Sequence, residues 1–538
     1  MSVSDENFIA IRGVVAVPRV HAAAAWLRAH PLAILVAVLG VIYTFALFNH
    51  APVPSMEPRF AEAIREMAAR GQYLIPIKNG VPYIEYPPLF FWLGLAGYVA
   101  GLPLTAAIRL PGYIALLLWV VALARLQRRL FPDWPRLLLA LPAAALPGIL
   151  YNFFTAQSDS VLILGVLVAF TGYAARERHG FNWELWLGVT LATLAKGPVG
   201  LAITLPVIGI DIVIDCLANA STTSGRWRLF RQRFAAVTPW RGIALVIAIN
   251  APWYVAAGFA INWEFVRAVL VYQNFTRFLV GFDHAQPWWY YAQTIWYDLF
   301  PLAFLLPFGI WCAAKRIGRF EWRMPLVWAL WTLLFFSLSQ SKQGKYILPA
   351  APAIALLALA APAQLLSIDA VARIRQWLAR WAVFLIGVFA VLVIGVLPLD
   401  GARLLDQPGY AKLKAAMAAR PGALVTYLWP RANMLYEFGA PLAYAPSARA
   451  LYEDLRTGRI EPGDYLLVNA EYLPGGDAYD TDQRLEPVPA PPYFEPVVSV
   501  QANGDMRLYR VLPGAARLPL PDTPSPPPRH WWDQFDTD

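Results

Sequence analysis

Acids and bases interrupt an otherwise apolar chain at a few places where their types suit chemistry. Glu57, Arg59, Glu62 and Glu85 lie between residues 51 and 106, and Asp159 opens an apolar run. Lys196 stands in Ala195-Lys-Gly-Pro198, and Asn274, Arg277, Asp283 and His284 fall within 260–289. Lys342, Lys345 and Tyr346 belong to Ser341-Lys-Gln-Gly-Lys-Tyr-Ile-Leu-Pro349. An ionisable group at membrane depth is expensive and is functional or lies at an interface. Taken singly, each long side chain is explained by snorkelling to that interface, and His284 by a hydrogen-bonded structural histidine. Taken together, carboxylates and cations on one side suit transfer of a sugar from a lipid phosphate to a hydroxyl. A carboxylate accepts the hydroxyl proton, and cations stabilise the departing phosphate. A divalent ion would share that second duty, with Glu85 and His284 as candidate ligands.

The elements that must position these residues are membrane helices. The 538 residues are 58% hydrophobic and only 15% charged, against about 25% charged in a soluble chain. Apolar runs near the roughly 20 residues that cross a bilayer predict about eleven spans, at 32–50, 107–126, 134–152, 159–176, 181–196, 198–216, 240–259, 290–313, 324–339, 346–363 and 378–398. Residues 1–31 read as a cytoplasmic segment leading to an uncleaved first span. The net charge of +9 follows from topology rather than a nucleic-acid partner. Basic clusters at 125–129, 176–178, 226–233, 315–323 and 373–380 fall on alternate connections, which the positive-inside rule places in the cytoplasm. This works only if the apolar piece 88–103 does not cross. Residues 51–106 are then one outer loop with two helices lying along the membrane. The first has Glu62, Glu66 and Arg70 at four-residue spacing and Phe60, Ala61, Ile64 and Met67 for its apolar side. It breaks at Gly71, passes an extended 73–76 and a turn at Asn79-Gly80, and Pro87-Pro88 open the second. Residues 260–289 form a second large outer loop.

From about 399 the apolar runs shorten to strand length. Residues 423–427, 442–444, 465–469 and 507–511 read as strands, with helices near 431–438 and 447–457, giving a small outer α/β domain over 399–517. A Pro-rich tail, 518–538, follows. The two cysteines, Cys216 and Cys312, suggest neither a disulfide nor a metal cluster.

The pattern Glu57-Pro-Arg-Phe-Ala-Glu62 with Arg65-Glu-Met67, followed by Gly80-Val-Pro-Tyr-Ile-Glu-Tyr-Pro-Pro-Leu-Phe-Phe-Trp92, resembles the first outer loop of bacterial membrane glycosyltransferases of the GT-C class. It is similar to the protein O-mannosyltransferase superfamily and, within it, to the lipid A 4-amino-4-deoxy-L-arabinose transferases. Ser158-Asp159, Ala195-Lys196-Gly197, Asn250-Ala-Pro-Trp253, Arg277-Phe278, His284 before Pro287-Trp-Trp-Tyr-Tyr291 and Lys345-Tyr-Ile-Leu-Pro349 continue the match in order. The resemblance implies an undecaprenyl phosphate-linked sugar donor. It also implies an acceptor on lipid A, another envelope glycan or a protein, and an active site and C-terminus on the periplasmic side of the inner membrane. Two positions depart from the family: Met56-Glu57 stands where Asp-Glu is common, and Glu85-Tyr86 where Glu-Lys is common. The expected base is then Glu57, with Asp159 as runner-up. Lys345, Arg59 and Lys196 are expected to hold the phosphate, with Arg277 and Tyr346 beside them. A flippase for a lipid-linked saccharide is the competing reading.

Overall fold

The computed structural model describes residues 29–53, 56–83, 85–175, 180–280, 285–399, 407–428, 430–470, 493–502 and 504–520. Among these, six helical stretches are long and apolar enough to cross a bilayer: Pro31–Phe48, Leu104–Leu130, Val199–Asn219, Thr223–Ala260, Gly344–Leu365 and Ile368–Leu399. Of the other expected spans, 324–339 is an unbroken 19-residue helix, Phe320–Leu338, with Glu321 and Arg323 near its start, and the rest are shorter or broken. The run at 134–152 becomes two pieces, Ala140–Ala144 and Pro147–Phe154. The run at 290–313 divides into Tyr290–Asp298 and an apolar helix over Leu302–Ala314, because Pro301 has no N–H to continue the first piece.

The first loop folds as its pattern dictates. A helix spans Glu57–Arg70, with Pro58 in its first turn, and stops at Gly71, whose φ of 63° suits glycine. Phe60, Ala61, Ile64 and Met67 are fully buried. Two short strands, β1 (Ile77–Lys78) and β2 (Val81–Pro82), pair antiparallel around Asn79-Gly80. The helix Leu89–Val99 has 11 residues, about 16 Å at 1.5 Å per residue, and cannot cross a hydrocarbon core of about 30 Å. It lies against its predecessor: Phe60 stacks with Tyr86 at 5.9 Å and meets Phe90 and Phe91 at 4.7 and 5.5 Å. Two indoles tie the extended segment between them, Trp92 donating to the Tyr73 carbonyl at 2.7 Å and Trp253 to that of Leu74 at 2.8 Å.

In the bundle, helices Ser158–Tyr173 and Trp183–Lys196 form the closest pair. Small residues at four-residue spacing make this possible: Gly165 and Ala169 face Ala192 and Gly188, and Gly172 faces Leu185. A Cβ added at Gly188 would fall 2.2 Å from the Ala169 backbone nitrogen. Such seams let membrane helices gain close van der Waals contact that lipid does not offer. Far down the bundle lies a buried charge network. Arg323 donates to Asp211 at 2.8 Å and pairs with Asp215 at 2.9 Å, Tyr173 donates to Asp211 at 2.6 Å, and Arg233 reaches Asp215 at 2.9 Å.

The C-terminal part is a five-stranded sheet, with β3 (Leu424–Tyr427), β4 (Ala443–Ala445), β5 (Tyr465–Asn469), β6 (Phe494–Gln501) and β7 (Asp505–Val511) in the order β4-β3-β5-β7-β6. β3 runs parallel to β4 and β5, through helices Ala432–Phe438 and Ala448–Thr457. Every residue of β5 is buried, as expected of a central strand read as a continuous apolar run. This unit rests on the first loop. Arg65 donates to the Leu435 carbonyl at 2.8 Å, and Asn79 exchanges two hydrogen bonds with the Leu442 backbone at 2.8 and 3.2 Å.

Candidate active site

The helix pair at the small-residue seam is antiparallel, so the first residues of Ser158–Tyr173 meet the last of Trp183–Lys196. That register brings Asp159 and Lys196 together as an ion pair. Asp159 is almost wholly buried, and its other oxygen lies 3.5 Å from Lys345 Nζ. Lys345 stands in the short 3₁₀ turn Gly344–Ala350 that begins the next apolar helix. The neighbouring Tyr346 places its ring 4.6 Å from the Lys196 ammonium, a cation–π distance.

The first loop completes the wall. Arg59 Nη1 donates to Glu85 Oε2 at 3.2 Å, with both side chains mostly buried. Lys345 lies in the field of Arg59 as well as those of Asp159 and Lys196, so the two groups form one cluster. Tyr86 bridges them. Its ring is 6.0 Å from Lys196, and it lies within reach of the charges on Glu85, Arg59 and Asp159. Burial and the Glu85 charge push its phenol well above the usual value, so it stays a neutral hydrogen-bonding group. Arg59, Lys196 and Lys345 therefore surround Glu85 and Asp159, and cations outnumber carboxylates. The arrangement suits a bound phosphate beside a carboxylate able to accept a proton.

Glu57, expected as the base, has a different place. It is fully buried, and Arg109 grips it through Nη2 at 2.6 Å and Nε at 2.9 Å. The Val53 N–H at 2.8 Å and the Ala156 N–H at 2.9 Å take its remaining capacity. Burial alone would raise its carboxyl. The Arg109 charge and hydrogen bonds, with a smaller contribution from the Val53 N–H, outweigh burial and hold it below the usual range. A carboxylate with both oxygens occupied and a lowered pKa is a poor proton acceptor. Glu57 instead ties the first loop to the start of Leu104–Leu130 and, through Ala156, to the segment that presents Asp159.

Arg109 is the residue that sequence reasoning missed. It lies in a run otherwise read as an ordinary span, and an arginine among Ile108, Leu110 and Ile114 was itself the signal. It also donates to the carbonyls of Ala46, Leu47, His50 and Ala51 at 3.0–3.3 Å. Beside it, burial and the Arg109 charge push His50 down to about 4 and keep it neutral.

The remaining expected residues are not drawn into the cluster in the same way. Arg277 Nη1 donates to Gln273 at 3.2 Å, one turn from Asn274, whose side chain approaches Gly197 beside Lys196. Lys342 is buried and donates to the carbonyls of Ser339 and Gln286, fastening its own loop. His284 and Asp283 lie outside the described residues. Among the described residues no three His, Cys, Asp or Glu side chains converge on a metal position. Glu85 already faces Arg59, and a guanidinium beside it does not fit a divalent cation.

No family model matches the chain. Its fold does match solved structures. ArnT from Cupriavidus metallidurans, crystallised with undecaprenyl phosphate, superposes with a TM-score of 0.65 over 91% of this chain and 99% of that one, at 20% identity. Its apo form gives 0.66. The chain has the ArnT fold. The likeness read from the loop motifs holds at the level of the fold, which is the helical, ArnT-like one it implied. Curated relatives include undecaprenyl phosphate-alpha-4-amino-4-deoxy-L-arabinose arabinosyl transferases. That of Pseudomonas fluorescens is 26% identical over 60% of this chain and 57% of its own length. That of Serratia proteamaculans is 28% identical over 70% and 66%. An uncharacterised Aquifex aeolicus protein is 24% identical over 61% and 62%. The chain matches about six-tenths of the length of the first of these relatives.

Proposed function

We propose that the protein is a membrane glycosyltransferase that moves a sugar from an undecaprenyl phosphate-linked donor to an acceptor hydroxyl or phosphate. The acceptor belongs to lipid A, another envelope glycan or a protein, and transfer takes place at the periplasmic face of the bacterial inner membrane. The observation that carries this reading is the convergence of Arg59, Lys196 and Lys345 on Glu85 and Asp159 at the end of the bundle bearing the two membrane-lying helices. The orientation is supported by the arginine clusters. The helix Leu104–Leu130 meets Glu57 at Arg109 and runs about 24–30 Å further to Arg125 and Arg129, which pair with Glu184 at 3.3 and 2.7 Å.

In this reading the acceptor oxygen attacks the anomeric carbon, and the bond to the donor phosphate breaks with its electron pair leaving on undecaprenyl phosphate. Lys345, Lys196 and Arg59 hold the phosphate as its charge grows, with Tyr346 fixing Lys196 and Arg277, one turn from Asn274 beside Gly197, as a further cation for it. Glu85 takes the proton, because it is the site carboxylate opposed by one cation, whereas Asp159 is held by two. Asp159 positions the lysines.

The test is transfer by protein reconstituted with an undecaprenyl phosphate-sugar and envelope acceptors. Glu85→Gln is expected to lower turnover by about 10²–10⁴, and Lys345→Ala to abolish it, with insertion retained. Full transfer by both variants would overturn the assignment. Movement of the lipid-linked sugar across vesicles without a covalent product would favour the flippase. Mass spectrometry of envelope lipids from a deletion strain identifies the sugar and the acceptor.

A further inference from the structure

Between two membrane helices lies a short helix that the site does not use. In the stretch Thr223–Ala260, Thr238 takes a left-handed conformation (φ 51°) and separates the 15-residue Thr223–Val237 from the apolar 22-residue Pro239–Ala260. Its place along the bundle is fixed by its neighbours. Val199–Asn219 starts at the Lys196 end, and Pro239–Ala260 returns to that end, where Trp253 reaches Leu74. Thr223–Val237 therefore lies at the far end, where the chain turns at the membrane surface.

Its side chains divide by the helical period. Trp227, Phe230 and Phe234 stand on one face with rings stacked at 5.5 and 5.7 Å, and Trp240 continues the row at 6.3 Å. Trp227 and Trp240 are 61% and 74% exposed. Arg226, Arg228, Arg231 and Arg233 flank this row, and Arg241 follows. No Asp or Glu occurs between Asp215 and Glu264. Arg233 is spoken for by Asp215, at 2.9 Å, which anchors the helix to the buried Asp211–Arg323 network. Val237 is buried, Leu229 and Phe230 lean half-buried on the bundle core, and most of the rest of the helix faces outward.

We infer that Thr223–Val237 is a binding surface for anionic phospholipid headgroups, with Arg226, Arg228 and Arg231 as phosphodiester ligands and the exposed rings of Trp227, Phe234 and Trp240 set among the acyl chains. A basic helix with an aromatic face and flanking membrane spans has the composition of an interfacial element. Charge complementarity points to anionic lipid, because zwitterionic headgroups leave three guanidinium groups uncompensated. Each basic residue near an anionic surface is worth about fivefold in binding, so three together exceed tenfold.

The full chain in nanodiscs of phosphatidylcholine, with or without phosphatidylglycerol, tests this by native mass spectrometry of retained lipid. Wild type should retain phosphatidylglycerol in preference, and added salt should erode the preference. Inorganic phosphate should not replace the lipid. The combined Arg226→Gln, Arg228→Gln and Arg231→Gln variant should lose the preference more than tenfold, and Arg228→Glu alone should weaken it. Trp227→Ala with Phe234→Ala should shed lipid of both kinds while keeping the salt dependence. Equal retention of both lipids by wild type, or an undiminished preference in the triple variant with an unchanged melting temperature, would overturn the inference.

Discussion

The pair Glu57–Arg109 gives a prediction that separates structural from chemical roles. Arg109→Met removes two hydrogen bonds to Glu57, at 2.6 and 2.9 Å, and leaves four backbone carbonyls without their donor. Glu57 keeps only the Val53 and Ala156 N–H groups, inside a site with no solvent access. Removing one partner of a buried ion pair costs about 3–5 kcal/mol, or roughly 150- to 5,000-fold in the folding equilibrium at 1.36 kcal/mol per decade. Glu57→Gln should cost a similar amount by stranding Arg109. The double variant Glu57→Leu with Arg109→Met should cost well below the sum of the single changes, because no unpaired charge remains. Equilibrium unfolding in mixed micelles and melting of detergent-purified protein measure all three. Since the Glu57 carboxyl is held low, its contribution is complete above the ordinary Glu value of about 4.3 and fades only as pH falls below it. Wild-type stability should accordingly show no loss from this pair between neutrality and that point. A Glu57→Gln protein with wild-type stability and no transfer would refute the reasoning and return Glu57 to the chemistry.

Other outcomes follow from the loop and the seam. Asn79→Ala removes the two-way clasp on Leu442 and should cost about 1–3 kcal/mol of docking. Proteolysis should then release the C-terminal part sooner, and turnover should fall through the displaced Glu57–Arg70 helix. Glu62 is buried beside Glu66, and burial, outweighing Arg65, pushes its carboxyl up to about 8. The folded protein thus binds a proton that the unfolded chain has released, so stability from this site falls as pH rises from about 4.3 to about 8. Glu62→Gln should flatten that slope in melting temperature. Gly165→Ala would place a Cβ 2.6 Å from the Ala192 backbone nitrogen. It should cost about 1–3 kcal/mol by overpacking and lower kcat by disturbing Asp159 against Lys196. Gly242→Ala puts a Cβ 1.8 Å from the Trp186 ring, whose Nε1 is tied to the Val237 carbonyl at 2.8 Å, and should reduce folded yield in membranes.

Much of the site was legible because membranes make polar residues conspicuous. Asp159, Lys196 and Lys345 stood out against apolar flanks, and the structure joins them; Arg59 and Glu85 came from the loop pattern. The non-crossing of 88–103 followed from charge bookkeeping, and the 11-residue helix agrees with it. What failed to show was pairing at long sequence range. The 52-residue separation of Glu57 and Arg109 carries no periodicity that predicts a contact, so the sequence shows the acid in the loop without the arginine that grips it. Asp211 and Asp215, each inside an apolar run, carry no such signal either, and Arg323, read with the basic cluster at 315–323, is instead buried against both. The strand over Phe494–Gln501 was missed because its alternation is weak, with most of its residues exposed or half-exposed.

The excess of cations in the pocket has a kinetic corollary. A sugar-linked donor carries a phosphodiester with one negative charge, whereas the spent carrier ends in a monoester with about −1.5 to −2 at neutral pH. On the proposed transfer, Arg59, Lys196 and Lys345, opposed by Glu85 and Asp159, would grip the spent carrier harder than the charged one. Turnover would then be paced by departure of the naked lipid phosphate, and the surrounding pool of that lipid would act as a brake.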